Sequence, residues 1–99
     1  MRVEILYFEG CPNHRPTVEL VRRSIDECGV SAQLKEVKVR DDEDARRLRF
    51  LGSPTVRVNG VDVEPDAEAR RDYAIGCRVY EENGIPSRDL VVAALTWGA

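Results

Sequence analysis

Cys11 and His14 stand three residues apart in Cys11-Pro12-Asn13-His14, a spacing that spans one helical turn. A thiol acts as nucleophile or soft-metal ligand in its thiolate form, and an imidazole one turn away can pair with that anion or carry its proton near neutral pH. The run before the cysteine, Val3 to Phe8, is short, rich in branched and aromatic residues, and followed by Gly10. It reads as a buried strand that delivers Cys11 to its C-terminal end. A helix follows, and its unpaired N–H groups and positive dipole end favour thiolate over thiol. The chemistry this implies is attack on a disulfide or capture of a soft ion. The plainest reading of His14 is nevertheless a solvent-facing side chain, and Cys11 with His14 would supply only two of the ligands of a closed zinc site.

Two further cysteines must be weighed beside it. Cys28 falls on the apolar stripe of the predicted helix and reads as a packed core thiol. Cys77 lies between Ile75 and Val79 and reads either as a resolving or metal-binding thiol or as a buried filler. Either Tyr73, Arg78 and Tyr80 line a pocket over the thiol, or, on the plainer reading, the two tyrosines pack their loop onto the body with their hydroxyls reaching water.

The elements that position these groups follow from periodicity. Val18, Val21, Ile25 and Cys28 recur at helical steps, Pro16 suits a first turn and Gly29 a C-terminal cap, so a helix is predicted over 14–28. The second half of 31–39 reads as a strand, which with the first strand and the helix makes a parallel crossover. Asp41 or Asp42 can cap a second helix, with Asp41 to Asp44 at its positive start, Ala45, Leu48 and Leu51 inward, and Gly52 as its stop. Thr55 to Val58 and Val61 to Val63 flank Asn59-Gly60, the pair that a tight hairpin turn demands, and Pro65 limits the second strand. Residues 66–85 carry no clear period, and a stretch this long without regular structure is more often functional than idle. Ser87 caps a final helix with Leu90, Val91, Ala94 and Leu95 inward.

Ninety-nine residues suit one domain, 1–99, with a modest core. The net charge of −3 argues against nucleic acid or an anionic membrane as partner. The arginine pairs 22–23, 46–47 and 70–71 all have acidic neighbours and read as solvated, ion-paired faces. No apolar run approaches the roughly 20 residues of a membrane span, and the start lacks the pattern of a secretory signal. The expected location is therefore cytoplasmic, where three cysteines remain reduced. Nothing forms a Gly-rich phosphate cradle, a Ser/His/Asp set or a telling carboxylate pair, and no cofactor is expected.

Two motifs together resemble the thioredoxin-like proteins: the cysteine at the strand-to-helix turn, and Gly52-Ser53-Pro54-Thr55 before the hairpin. More narrowly, Cys-Pro-Asn, Phe50-Leu51-Gly52-Ser53-Pro54-Thr55 and Cys77-Arg78-Val79-Tyr80 resemble a small bacterial thioredoxin-like family loosely linked with mercury-resistance proteins. The resemblance implies an α/β fold of order βαβ-α-ββ-α, with a central mixed four-stranded sheet flanked by helices. It implies a cis bond before Pro54, and Pro12, Ser53, Pro54 and Thr55 bordering a substrate that pairs with the backbone before the proline. It departs from the family at His14, which stands where a dithiol thioredoxin has its second cysteine.

Cys28 cannot substitute, since a continuous helix carries it roughly 25 Å along, against the ~7 Å a disulfide allows. Cys77 remains, if its loop folds back. The expectation is a thiol-disulfide oxidoreductase-like protein with Cys11 as nucleophile, His14 as its aid, and Cys77 or an external glutathione-like thiol completing exchange with a thiol or disulfide substrate. The rival expectations are a module that binds a soft ion such as mercury, copper or zinc, and an interaction domain without chemistry.

Overall fold

The computed structural model describes residues 1–80 and 83–97. Its elements in chain order are β1 (Arg2–Tyr7), α1 (His14–Cys28), β2 (Gln33–Lys38), α2 (Asp42–Leu48), β3 (Thr55–Val58), β4 (Val61–Asp62), a 3-10 helix (Pro65–Ala69) and α3 (Arg88–Trp97). Among the described residues the strands form one mixed sheet in the order β2-β1-β3-β4. β1 runs parallel to β2, with Val3 beside Leu34 and Leu6 beside Val37. It runs antiparallel to β3, with Ile5 opposite Val56 and Leu6 opposite Thr55. The described residues thus form an α/β structure with a four-stranded mixed sheet and three α-helices. No helix among the described residues is long and apolar enough to cross a membrane.

Alternation along β1 sends its side chains to opposite faces, and both faces are covered. Val3 and Ile5 join Val56, Val58, Val18 and Val21 of α1, and Val91 and Leu95 of α3. Leu6 on the other face joins Val39, Ala45 and Phe50 beside α2. The periodic residues of α1 therefore lie on the sheet because burying that stripe is what stabilises the helix. Gly29 closes α1 in the left-handed conformation, its N–H reaching the Ile25 and Asp26 carbonyls. Asp41 caps α2 by accepting the Asp44 N–H at 2.8 Å, and Ser87 accepts the Leu90 N–H at the start of α3 at 3.2 Å. Asn59 and Gly60 both take positive φ at the hairpin tip, as a two-residue turn between twisted strands requires.

β1 is shifted one residue toward the N-terminus, Arg2–Tyr7 rather than Val3–Phe8, β2 begins early, at Gln33, and two further boundaries differ from the sequence expectation. β4 ends at Asp62 rather than Val63, with the chain turning into Pro65 and the 3-10 helix. The second helix stops at Leu48, and its left-handed cap is Arg49 (φ 55°), not Gly52. Arg57 explains why an arginine can stand there: its guanidinium donates to the Leu48 and Arg49 carbonyls at 2.7 and 2.8 Å. Those are the helix-end acceptors that otherwise lack a partner.

Candidate functional site

Two turns deliver Cys11. The Cys11 N–H donates to the Phe8 carbonyl at 3.3 Å, and Gly10 between them sits at φ +91°, the conformation a type II turn needs at its third residue. The Cys11 carbonyl then accepts the His14 N–H at 3.3 Å, and α1 begins. The N-cap, Asn13, makes no side-chain capping hydrogen bond. The thiol is nearly enclosed, with 9% of the residue exposed, so it does not stand open on the surface. Pro12 beside it is exposed.

Because Leu6 of β1 pairs with Thr55 of β3, the chain leaving β1 toward Cys11 and the chain arriving through Ser53-Pro54 meet the same end of the sheet. The Ser53–Pro54 peptide is cis. This loop is buried rather than open: Ser53 and Thr55 are both 0% exposed. Thr55 Oγ1 donates to the Gly52 carbonyl at 2.6 Å and accepts from Arg78 at 3.2 Å. Ser53 is bridged in parallel to Cys77. Its N–H donates to the Gly76 carbonyl at 2.8 Å, and its carbonyl accepts the Arg78 N–H at 3.0 Å. The Ser53 backbone groups expected to pair with a substrate, and the Thr55 hydroxyl, are therefore committed inside the chain. The physical reason is that the aperiodic segment returns to pair with this loop.

Arg78 holds that segment. Its side chain is fully buried and makes a bidentate pair with Asp62, at 2.7 and 2.9 Å, and a further bond to Glu64 at 2.7 Å. It also lies 4.4 Å from the centre of the Tyr80 ring, in cation–π range. Burial opposes the charge, but the two carboxylates more than offset it and keep the guanidinium above its usual range. Burial likewise pushes the Tyr80 hydroxyl up; that hydroxyl donates to the Pro54 carbonyl. Gly52, at φ +118°, leaves room for Arg78, whose Cβ a Cβ there would meet at 3.0 Å and whose backbone at 3.1 Å.

His14 lies against the sheet, on Tyr7 of β1 and beside Glu36 of β2. Its ring stacks on Tyr7 at 3.6 Å between centroids and 4° between planes, and its Nε2 comes within 2.7 Å of Glu36 Oε1, outside hydrogen-bond alignment. Stacked on Tyr7 and beside Glu36, with 19% of its side chain exposed, the ring is not the solvent-facing one the sequence suggests. The stacking partner was out of reach of local reasoning because Tyr7 is seven residues away, on the strand.

Cys77 is exposed and all three cysteines are free; Cys28 packs against the main core. Tyr73 lines a separate cavity of about 330 Å³ with Leu48, Leu51 and Arg57. Among the described residues no group of three or more His, Cys, Asp or Glu converges.

Packing of the loop onto the body by Tyr80 is as the sequence suggests, but its hydroxyl donates to the Pro54 carbonyl rather than to water, and the role of Arg78 as the buried anchor was missed. A signal was present: Arg78 is the one charge within the run Tyr73 to Tyr80, and a lone charge in an apolar run that becomes buried must find partners.

Comparison with known proteins adds one partial likeness. A stretch of 57 residues is 33% identical to N-(5'-phosphoribosyl)anthranilate isomerase of Bacillus mycoides (strain KBAB4), covering 58% of this chain and 26% of that protein. The chain thus spans about a quarter of the length of that relative, and a match of this extent establishes no family. No family model and no solved structure matches the chain.

Proposed function

We propose that this chain is a thioredoxin-like protein that carries out thiol–disulfide exchange, with Cys11 as its nucleophile. The observation that carries the reading is the place of Cys11, between the end of β1 and the uncapped start of α1, at the end of the sheet that also receives Ser53-Pro54. Unpaired helix N–H groups there stabilise an anion. The element order and the β2-β1-β3-β4 sheet support the same resemblance.

The exchange balances without an outside oxidant. The Cys11 thiolate attacks one sulfur of a disulfide, a new S–S bond forms to Cys11, the old one breaks, and the departing thiolate takes a proton from water. A second thiol then attacks the mixed disulfide and returns Cys11 as thiolate. Either Cys77, exposed and bridged to Ser53, or a low-molecular-mass thiol serves as that second thiol.

The test is mass analysis of the mixed disulfide formed with a small disulfide reagent. The expected adduct lies on Cys11 and is lost in Cys11→Ser, and a Cys77→Ser variant shows which thiol resolves it. An adduct confined to Cys77 and unchanged by Cys11→Ser would overturn the proposal. Retention of mercury(II) by a chain that forms no adduct would replace exchange by soft-ion binding.

A further inference from the structure

We propose that this chain occupies its own substrate-pairing edge, so that the site takes a low-molecular-mass disulfide and excludes extended polypeptides, with Arg78 as the positioning residue that keeps the edge closed. The inference rests on the exchange reading and deepens it to a substrate class. A polypeptide that adds as a strand needs a free N–H and a free carbonyl on the edge it joins. At Ser53 both are taken, by the Gly76 carbonyl and the Arg78 N–H.

Two backbone bonds alone would be easily exchanged for two bonds to a visiting peptide. Here, however, leaving the edge would strip Arg78 from Asp62 and Glu64 and Tyr80 from the Pro54 carbonyl. It would leave partly buried carboxylates without their cation. The chain is also fitted closely along this path: Gly52 has no Cβ where the Arg78 backbone lies, and a Cβ on Gly84 would overlap the Asn13 amide. Gly84 thus lies against the turn that carries Cys11, which is left 9% exposed. Ser53 Oγ is buried there with no hydrogen-bond partner among the described residues. A small disulfide needs only a path to one sulfur. A peptide needs the edge, so its rate is scaled down by the fraction of molecules in which the segment is released.

The experiment uses the full chain and two reagents with the same leaving group: N-acetylcysteine and an extended cysteine-containing peptide, each as the mixed disulfide with 2-nitro-5-thiobenzoate. Stopped-flow release of the thiobenzoate gives the rate at Cys11, with Cys28 and Cys77 replaced by serine. We expect the small reagent to react about a hundredfold faster than the peptide. Arg78→Lys keeps the charge but loses the bidentate fork, and should narrow the ratio to about tenfold by speeding the peptide. Tyr80→Phe, a gentler change, should narrow it less and serves where the lysine variant fails to fold. Amide hydrogen exchange on the native chain should show the Ser53 and Arg78 N–H groups protected and unchanged on adding the peptide.

Equal rates for the two reagents, or a ratio that a folded variant leaves untouched, would overturn the inference while leaving exchange at Cys11 standing. Silence of Cys11 toward both reagents would instead remove the exchange reading itself.

Discussion

The β1–α1 region and the segment 76–80 are held by opposite kinds of physics. In the first, Val3, Ile5, Val18 and Val21 recur at the periods of strand and helix and bury hydrocarbon against hydrocarbon. In the second, a single residue bridge to Ser53 is fastened by a buried guanidinium between two carboxylates. Hydrocarbon burial is non-directional and tolerates a neighbour of slightly different shape. A buried ion pair depends on every partner, because removing one leaves an uncompensated charge. The difference teaches where this protein is fragile: its irregular segment is anchored at a few residues, whereas the regular half spreads its stability over many.

The sharpest way to break that contrast is Arg78→Met, which leaves Asp62 and Glu64 facing an apolar side chain. It should cost about 3–5 kcal/mol in urea unfolding, against about 0.5–1.5 kcal/mol for Ile5→Val in the regular half. Comparable losses at the two sites would show that the polar network is no more demanding than the core. Tyr80→Phe should come next. It strips one hydrogen bond from the Pro54 carbonyl at about 1–3 kcal/mol, and thermal unfolding of that variant reads the loss.

The smallest effect concerns a polar anchor in the regular part. Arg47 above all, with the Arg40 backbone N–H and guanidinium, holds the Asp44 carboxyl down at about 2, against an ordinary 3.8. A depressed carboxyl contributes fully above about pH 4 and loses its contribution as pH falls through 2. The urea midpoint of the native chain should therefore drop more steeply than that of Asp44→Asn over this window. Parallel acid limbs would refute it.

Much of the architecture was legible because its determinants are local. The α1 limits, the Asp41 and Ser87 caps and the Asn59-Gly60 turn each depend on residues within a few positions of one another. The stop of α2 was not, because Arg49 is made acceptable there by Arg57 from the next strand. Of the candidate site, Cys11 and the Ser53-Pro54 loop could be named from spacing and resemblance. The stacking of His14 on Tyr7 and the capture of Ser53 by residues 76–78 could not, since each joins groups with no periodic relation.

The sequence by itself determined which residues alternate, which face of α1 is apolar and where strands must turn, because those follow from backbone geometry and side-chain solubility over a few residues. Only the tertiary structure decided what lies against the Ser53 edge, how far Cys11 is enclosed, and that Arg78 is a buried anchor rather than a surface charge. Those outcomes depend on directional contacts between distant parts of the chain. A charged side chain carries no mark of its burial until the carboxylates that compensate it have been brought to the same place.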